Sequence, residues 1–212
     1  MFQRVLVLAP HTDDGEFGCG GTIAKLVEEG ADVYYLAFSA AEKSVPKKYP
    51  NDILRKEVRA ATQVLGIPAD NLIIMDYEVR NFPLQRQEIL EDLVRFQREM
   101  QPDLVLLPAL HDIHQDHMTI AREGLRAFKT TSMLGYELLW NNLTINTTSF
   151  VFLEERHIRR KVDALKCYES QRFRRYASEE FIYSLARTRG TQIGAQYAEA
   201  FEVIRWVLNG RL

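Results

Sequence analysis

The stretch Val5-Leu6-Val7-Leu8-Ala9-Pro10-His11-Thr12-Asp13-Asp14 decides how the chain is read. Its leading residues are apolar and mostly branched, the pattern of a strand buried on both faces of a parallel sheet. The run passes directly into one imidazole and two carboxylates. In open α/β sheets the carboxyl ends of the strands border the ligand crevice, so this order places polar chemistry at the rim. Carboxylates there need partners, because an unpaired buried charge is costly. A divalent metal is the natural partner for the imidazole and one of the carboxylates.

Outward from this stretch, a second one has the same form. Pro102-Asp103 precedes Leu104-Val105-Leu106-Leu107-Pro108, and then comes His111-Asp112-Ile113-His114-Gln115-Asp116-His117. Three of the five histidines fall in that segment. The apolar positions Ile120, Ala121, Leu125 and Phe128 predict a helix to Lys129, with His114 and His117 near its first turn. Two strand ends bearing His and Asp converge when their strands lie close in a parallel sheet.

Between and around them the expected order is strand 32–38, a polar loop from Ser39 to Pro50, helix 53–65, strand 72–75 with Asp76 at its end, and helix 85–100. This alternation predicts an α/β fold: one Rossmann-like, doubly wound, mostly parallel sheet with helices on both faces, as a single domain over residues 1–212. In the last third, residues 135–140 and 149–153 read as edge strands, 158–168 and 179–187 as helices. Residues 197–207 read as either strand or helix. The glycine-dense segment from Gly15 to Thr22 fails the spacing of a dinucleotide fingerprint. Its glycines are expected to bend the backbone beside a ligand.

Composition excludes several classes. The formal net charge of −2 lacks the basic excess of a nucleic-acid binder. No apolar run approaches the ~20 residues of a membrane helix, and the N-terminus has no signal-peptide pattern. Two cysteines, Cys19 and Cys167, suggest a reducing, cytoplasmic setting and not a disulfide framework. Cys19 reads as a small packing residue, His111 as a rim residue, and His157 as part of a solvated charged face. Arg172, Arg174 and Arg175 read as solvated surface, with contact to an anionic part of a substrate as the sharper alternative. Trp140 and Trp206 read as core or interface. Structural zinc sites favour cysteine-rich ligand sets, whereas two imidazoles and a carboxylate with an open fourth position make a catalytic one.

With Pro10-His11-Thr12-Asp13-Asp14 and His114-Gln115-Asp116-His117 both in view, the chain resembles the LmbE/PIG-L family of zinc-dependent deacetylases of N-acetylglucosamine-type sugars. The likeness extends to Gly18-Cys19-Gly20-Gly21-Thr22, Arg55 with Glu57, Ala164-Leu165 with Tyr168, Ser170 and Gln171, and Tyr197 to Phe201. It implies that His11, Asp14 and His117 hold one Zn²⁺ or another divalent metal per chain. It further implies Asp13 as general base, His114 as transition-state stabiliser, Asp116 as the group orienting His114, and Arg55 as a substrate contact. Asp116 would raise the pKa of His114, which would act as an imidazolium. The chain departs from the family at Thr12, usually Pro, and at Gly15, usually Glu, with Glu16 one place later. The implied substrate is a small N-acetylated amino sugar or sugar conjugate, with no nucleic-acid partner and no membrane span. A homo-oligomer is compatible with the sequence. Two rivals are a phosphoesterase, whose second metal would draw on His111, Asp112 and Asp76, and a sugar-binding protein with a decayed site.

Overall fold

The computed structural model describes residues 2–208. The elements are β1 (Arg4–His11), α1 (Asp14–Glu28), β2 (Asp32–Ser39), α2 (Ile53–Leu65), β3 (Leu72–Ile74), α3 (Arg86–Met100), β4 (Leu104–Pro108), α4 (Gln115–Ala127), β5 (Ser132–Tyr136), β6 (Ser149–Leu153), α5 (Glu155–Lys166), α6 (Glu179–Thr191) and β7 (Tyr197–Arg205). The seven strands form one sheet in the order β3-β2-β1-β4-β5-β7-β6. β1 to β5 run parallel, and β7 is antiparallel to both β5 and β6. The mostly parallel, doubly wound sheet expected from the alternation is therefore present.

Two cores follow from the alternation of side chains along β1. Val5, Val7 and Ala9 join Ile23, Val58, Leu65, Ile158, Val162 and Ile182 beneath α1, α2, α5 and α6. Leu6 and Leu8 face the other way and join Ile89, Leu93, Phe96, Ile120 and Phe128 beneath α3 and α4. Every residue from Val5 to Pro10 is buried, which explains the unbroken apolar run. Truncating Leu6 or Leu8 to Ala costs about 2–5 kcal/mol.

The strand order reverses at β1, whose neighbours are β2 and β4. The β1–β4 ladder ends at Val7↔Leu106, although β1 continues to His11 and pairs with β2 as far as Ser39. The two strands thus part near their carboxyl ends, and a crevice opens at the topological switch point. Pro10 lies past the end of that ladder, where its missing N–H leaves no bond unmade towards β4.

The structure corrects three expectations and decides a reading left open. The segment expected as an edge strand at 135–140 is β5 at Ser132–Tyr136, an internal strand between β4 and β7, and Leu138 to Trp140 form a turn beyond it. The ambiguous 197–207 segment is the strand β7 over Tyr197–Arg205. The glycine segment lies inside α1, whose helical dihedrals break at Cys19, and its glycines serve close packing. A Cβ at Gly15 would sit 2.6 Å from the Tyr35 ring and one at Gly18 would sit 2.2 Å from Tyr136. His157, expected on a solvated face, is buried near the start of α5, where Nδ1 accepts from the Glu154 N–H (3.0 Å). Cys19 is buried, as a packing residue should be. Among the described residues no helix is long and apolar enough to cross a membrane.

Candidate active site

His11 is the last residue of β1, and Asp14 the first of α1, so Thr12 and Asp13 make the turn between them. That turn is tied down from behind. The Tyr168 hydroxyl donates to the Thr12 carbonyl (2.7 Å), and the Tyr35 hydroxyl lies 2.9 Å from the same oxygen. The Asp14 Oδ2 atom accepts from the His11 N–H (2.8 Å) and lies 3.1 Å from His11 Nδ1.

The second strand end supplies the rest. After β4 the chain turns at Asp112, whose Oδ1 accepts from the His114 N–H (2.8 Å). His114 caps α4, and His117 follows in its first turn. His117 Nε2 comes to 3.2 Å from Asp14 Oδ2 and 3.3 Å from His11 Nδ1. Three donor atoms from two strand ends therefore form a nearly equilateral triangle with sides of 3.1, 3.2 and 3.3 Å.

Each imidazole in the triangle is backed by a carboxylate on its other nitrogen. Asp116 Oδ2 lies 2.9 Å from His11 Nε2, and Asp112 Oδ2 lies 2.7 Å from His117 Nδ1. Such partners fix the tautomer and orientation of a ligating ring. From the sequence the Asp116 carboxylate is expected to orient His114, and it does not. It holds His11 and accepts from the N–H groups of Arg80 (2.6 Å) and Phe82 (3.3 Å). Asp116 reaches His114 only through its backbone N–H, which donates to Nδ1 (3.2 Å). Asp112, weighed in the sequence only for a second metal, is the support of His117.

The electrostatics follow from this crowding. Burial works to lower the pKa values of His11 and His117, yet neighbouring carboxylates outweigh it. Asp14 and Asp116 raise His11, while Asp14 and Asp112 lift His117 to about 10. Burial works to raise Asp14, but His117 and His11 hold it well below the usual carboxylate range. The point where the two imidazoles meet is thus built for positive charge. Asp13 behaves oppositely, raised to about 6 by burial first and by the Asp14 charge second. Burial, then His117 and His11, lower His114 to about 4. That group is a neutral imidazole, and because Nδ1 accepts, its proton sits on Nε2.

His11, Asp13, Asp14, His114 and His117 line a cavity of about 310 Å³ together with Phe17, Arg80, Trp140, Asn141, Arg174 and Tyr176. Trp140 stacks face to face on Tyr176 at 3.7 Å, and both belong to the wall. Arg55 does not belong to it. That guanidinium pairs with Glu42 (2.8 Å) and Asp76 in a neighbouring depression. Arg80 and Arg174 are the cavity's arginines; Arg172 and Arg175 are exposed. The residues weighed for a second metal do not converge: His111 is exposed, Asp76 pairs with Arg55 and Asp112 with His117.

The three histidines His11, His114 and His117 also offer ring nitrogens within 4.8 Å of one another. That is the looser set. The triangle containing Asp14 is tighter and brings the anionic donor, so it suits a small divalent ion better.

Residues 6–128 match the family model described as PIG-L: GlcNAc-PI de-N-acetylase. The chain belongs to this family. Its relatives include the uncharacterized deacetylase YaiS of Escherichia coli, 25% identical over 174 residues, which cover 79% of this chain and 91% of that protein. The diacetylchitobiose deacetylase of Thermococcus kodakarensis is 29% identical over 133 residues, covering 59% of this chain but only 49% of that protein. In fold, the chain is similar to N,N'-diacetylchitobiose deacetylase from Pyrococcus horikoshii, with a TM-score of 0.79 at 24% identity over 96% of this chain and 84% of that one. The PIG-L match runs from β1 to the end of α4 and so takes in both strand-end motifs.

Proposed function

We propose that the protein is a metal-dependent hydrolase that removes the acetyl group from an N-acetylated amino sugar or sugar conjugate. In this reading His11, Asp14 and His117 hold one zinc ion, or another divalent metal in its place. The observation that carries the reading is the triangle of His11 Nδ1, Asp14 Oδ2 and His117 Nε2 with sides of 3.1–3.3 Å. Donors at bonds of about 2.0–2.1 Å around a tetrahedral ion lie roughly 3.3 Å apart, so the donor set fits zinc without rearrangement. Cysteine is absent from the set, which matches the catalytic and not the structural type.

A metal bound there supplies a water whose pKa falls towards ~7 and a Lewis acid for the amide carbonyl. The chain's own groups supply the rest. Asp13 lines the cavity beside Asp14, and its carboxylate is free of the imidazole contacts that engage Asp14. Burial and the Asp14 charge raise it to about 6, which suits a base that accepts a proton from water near neutrality. The same proton, passed on to the departing nitrogen, completes the exchange of amide and water for acetate and amine. His114 presents Nε2–H to the cavity as a neutral donor for the oxygen on which negative charge develops. Asp112 and Asp116 keep His117 and His11 in the ligating tautomers.

A phosphoesterase using two metals about 3.5–4 Å apart lacks a second set of donors among the described residues. A decayed binding protein gives no reason for Asp13 to stand at the cavity wall with a raised pKa. The reading is tested by incubating the protein with N-acetylated sugars and UDP-linked N-acetylated sugars and measuring released acetate, with and without chelator. Chelator-sensitive release supports it. No release from any of these compounds by the zinc-loaded protein refutes it.

A further inference from the structure

The candidate active-site cavity shares one wall with a second, smaller cavity. Phe17, Trp140 and Tyr176 line both. Trp140 and Tyr176 stack at 3.7 Å with an interplanar angle of 9°, and Phe17 meets their rings edge-on at 5.4 and 5.3 Å. Three separate segments supply the trio: α1, the turn after β5, and the segment between α5 and α6. The space behind it is about 20 Å³, room for little more than one water-sized group. Ile158, Phe181, Ile182 and Leu185 line that space, and its charged neighbours are already matched, Lys161 with Glu199 and Arg189 with Glu137. Behind the aromatic wall there is therefore apolar room without a polar demand of its own.

Resting on the deacetylase reading, the same wall borders the reacting groups. Phe17 follows the proposed base by one helical turn, its N–H donating to the Asp13 carbonyl (3.1 Å), and it lines the cavity with Asp13, Asp14 and His117. An N-acylated sugar divides into an apolar acyl chain and a hydroxyl-rich ring. The ring hydroxyls need hydrogen-bonding partners, which Ser44, Arg80, Asn141, Gln171 and Arg174 offer elsewhere on the lining. The acyl methyl needs none and sheds water best against continuous apolar surface, which the trio provides. Rings stacked at 3.7 Å leave no gap between them, and forcing further methylenes into such packing is costly.

We infer that Phe17, Trp140 and Tyr176 form the acyl pocket, which admits acetyl and rejects longer N-acyl chains, and that the small cavity behind them receives such chains once the stack is opened. The test measures freed amine from the methyl glycosides of N-acetyl-, N-propionyl-, N-butyryl- and N-hexanoylglucosamine, using zinc-loaded protein. In wild type, kcat/KM should fall roughly 10–200-fold from acetyl to butyryl. Trp140→Ala and Tyr176→Ala should each raise the butyryl-to-acetyl ratio by roughly 10-fold or more. Tyr176→Phe, which keeps the ring, should leave that ratio as in wild type. A ratio taken within one variant cancels its folded fraction, so partial unfolding does not imitate the effect. Wild-type kcat/KM that is flat across the four chains overturns the inference. So does an equal loss on all four in both alanine variants, which would make the stack a platform for the sugar ring. Cleavage of none of the four counts against the deacetylase reading alone. Calorimetric binding of the same compounds to zinc-loaded wild type and variants then decides the acyl claim by the same ratio.

Discussion

Two buried clusters of charge flank the turn at Thr12. On the cavity side stand His11, Asp14, Asp112, Asp116 and His117; beneath α1 stand Glu16 with Tyr35 and Tyr168, and Lys161 with Glu199. Both hold groups that an apolar core excludes, and both shift pKa values strongly, Glu16 rising to about 8 through burial. They differ in where their atoms point. Glu16 meets the Tyr35 hydroxyl with one oxygen and the Tyr168 hydroxyl with the other (2.8 Å). Lys161 meets Glu199 (2.7 Å), whose two oxygens also accept the N–H groups of Gly21 and Thr22. Each group there is satisfied by the chain itself. On the cavity side the backs of the rings are satisfied while Nδ1 of His11, Nε2 of His117 and Oδ2 of Asp14 turn towards one another. Burial and perturbed titration mark both clusters; only convergence on a shared point marks the one proposed to hold a metal.

That contrast can be broken or sharpened by substitution. The largest effect is expected at the triangle: His117→Ala or Asp14→Asn should lose bound zinc, by elemental analysis, and reduce acetate release to that of chelated wild type. Next comes Asp13→Asn, which keeps shape but cannot accept a proton. It should retain zinc while kcat falls by roughly 10²–10⁴-fold. Loss of zinc in Asp13→Asn with retention in Asp14→Asn would exchange their roles. Asp112→Asn, behind His117, should weaken zinc affinity or activity about 10–100-fold in a competition titration. The smallest effect on catalysis is expected from the satisfied cluster. Lys161→Met strands the Glu199 carboxylate, so denaturant unfolding should show a loss of about 3–5 kcal/mol, with zinc content unchanged.

The sequence showed the convergence but not the pairings. Continuous apolar runs betray β1 and β4 because parallel strands are covered on both faces, and strand ends at a switch point are where ligands sit. Hence His11, Asp13, Asp14, His114 and His117 could all be placed at one cavity before any geometry. Which carboxylate backs which ring is a tertiary fact. Asp116 is two residues from His114, yet its side chain turns to His11, more than a hundred residues away in the chain. Arg55 illustrates the same limit, since Glu42 and Asp76 come from separate loops to neutralise it. Arg80 offered no periodic or motif signal, and its left-handed backbone is imposed by a bond to Asp116. β5 reads as an edge from its own pattern, yet β7 returns antiparallel beside it, and neighbour order is not written in local pattern.

The most direct test of the metal triangle is an anomalous-scattering measurement at the zinc edge on crystals of the zinc-loaded protein. The account predicts one strong peak per chain within bonding distance of His11 Nδ1, Asp14 Oδ2 and His117 Nε2, with His114 and Asp13 outside it. A peak bonded to the three histidines with Asp14 turned away, or no peak in this cavity, would contradict it.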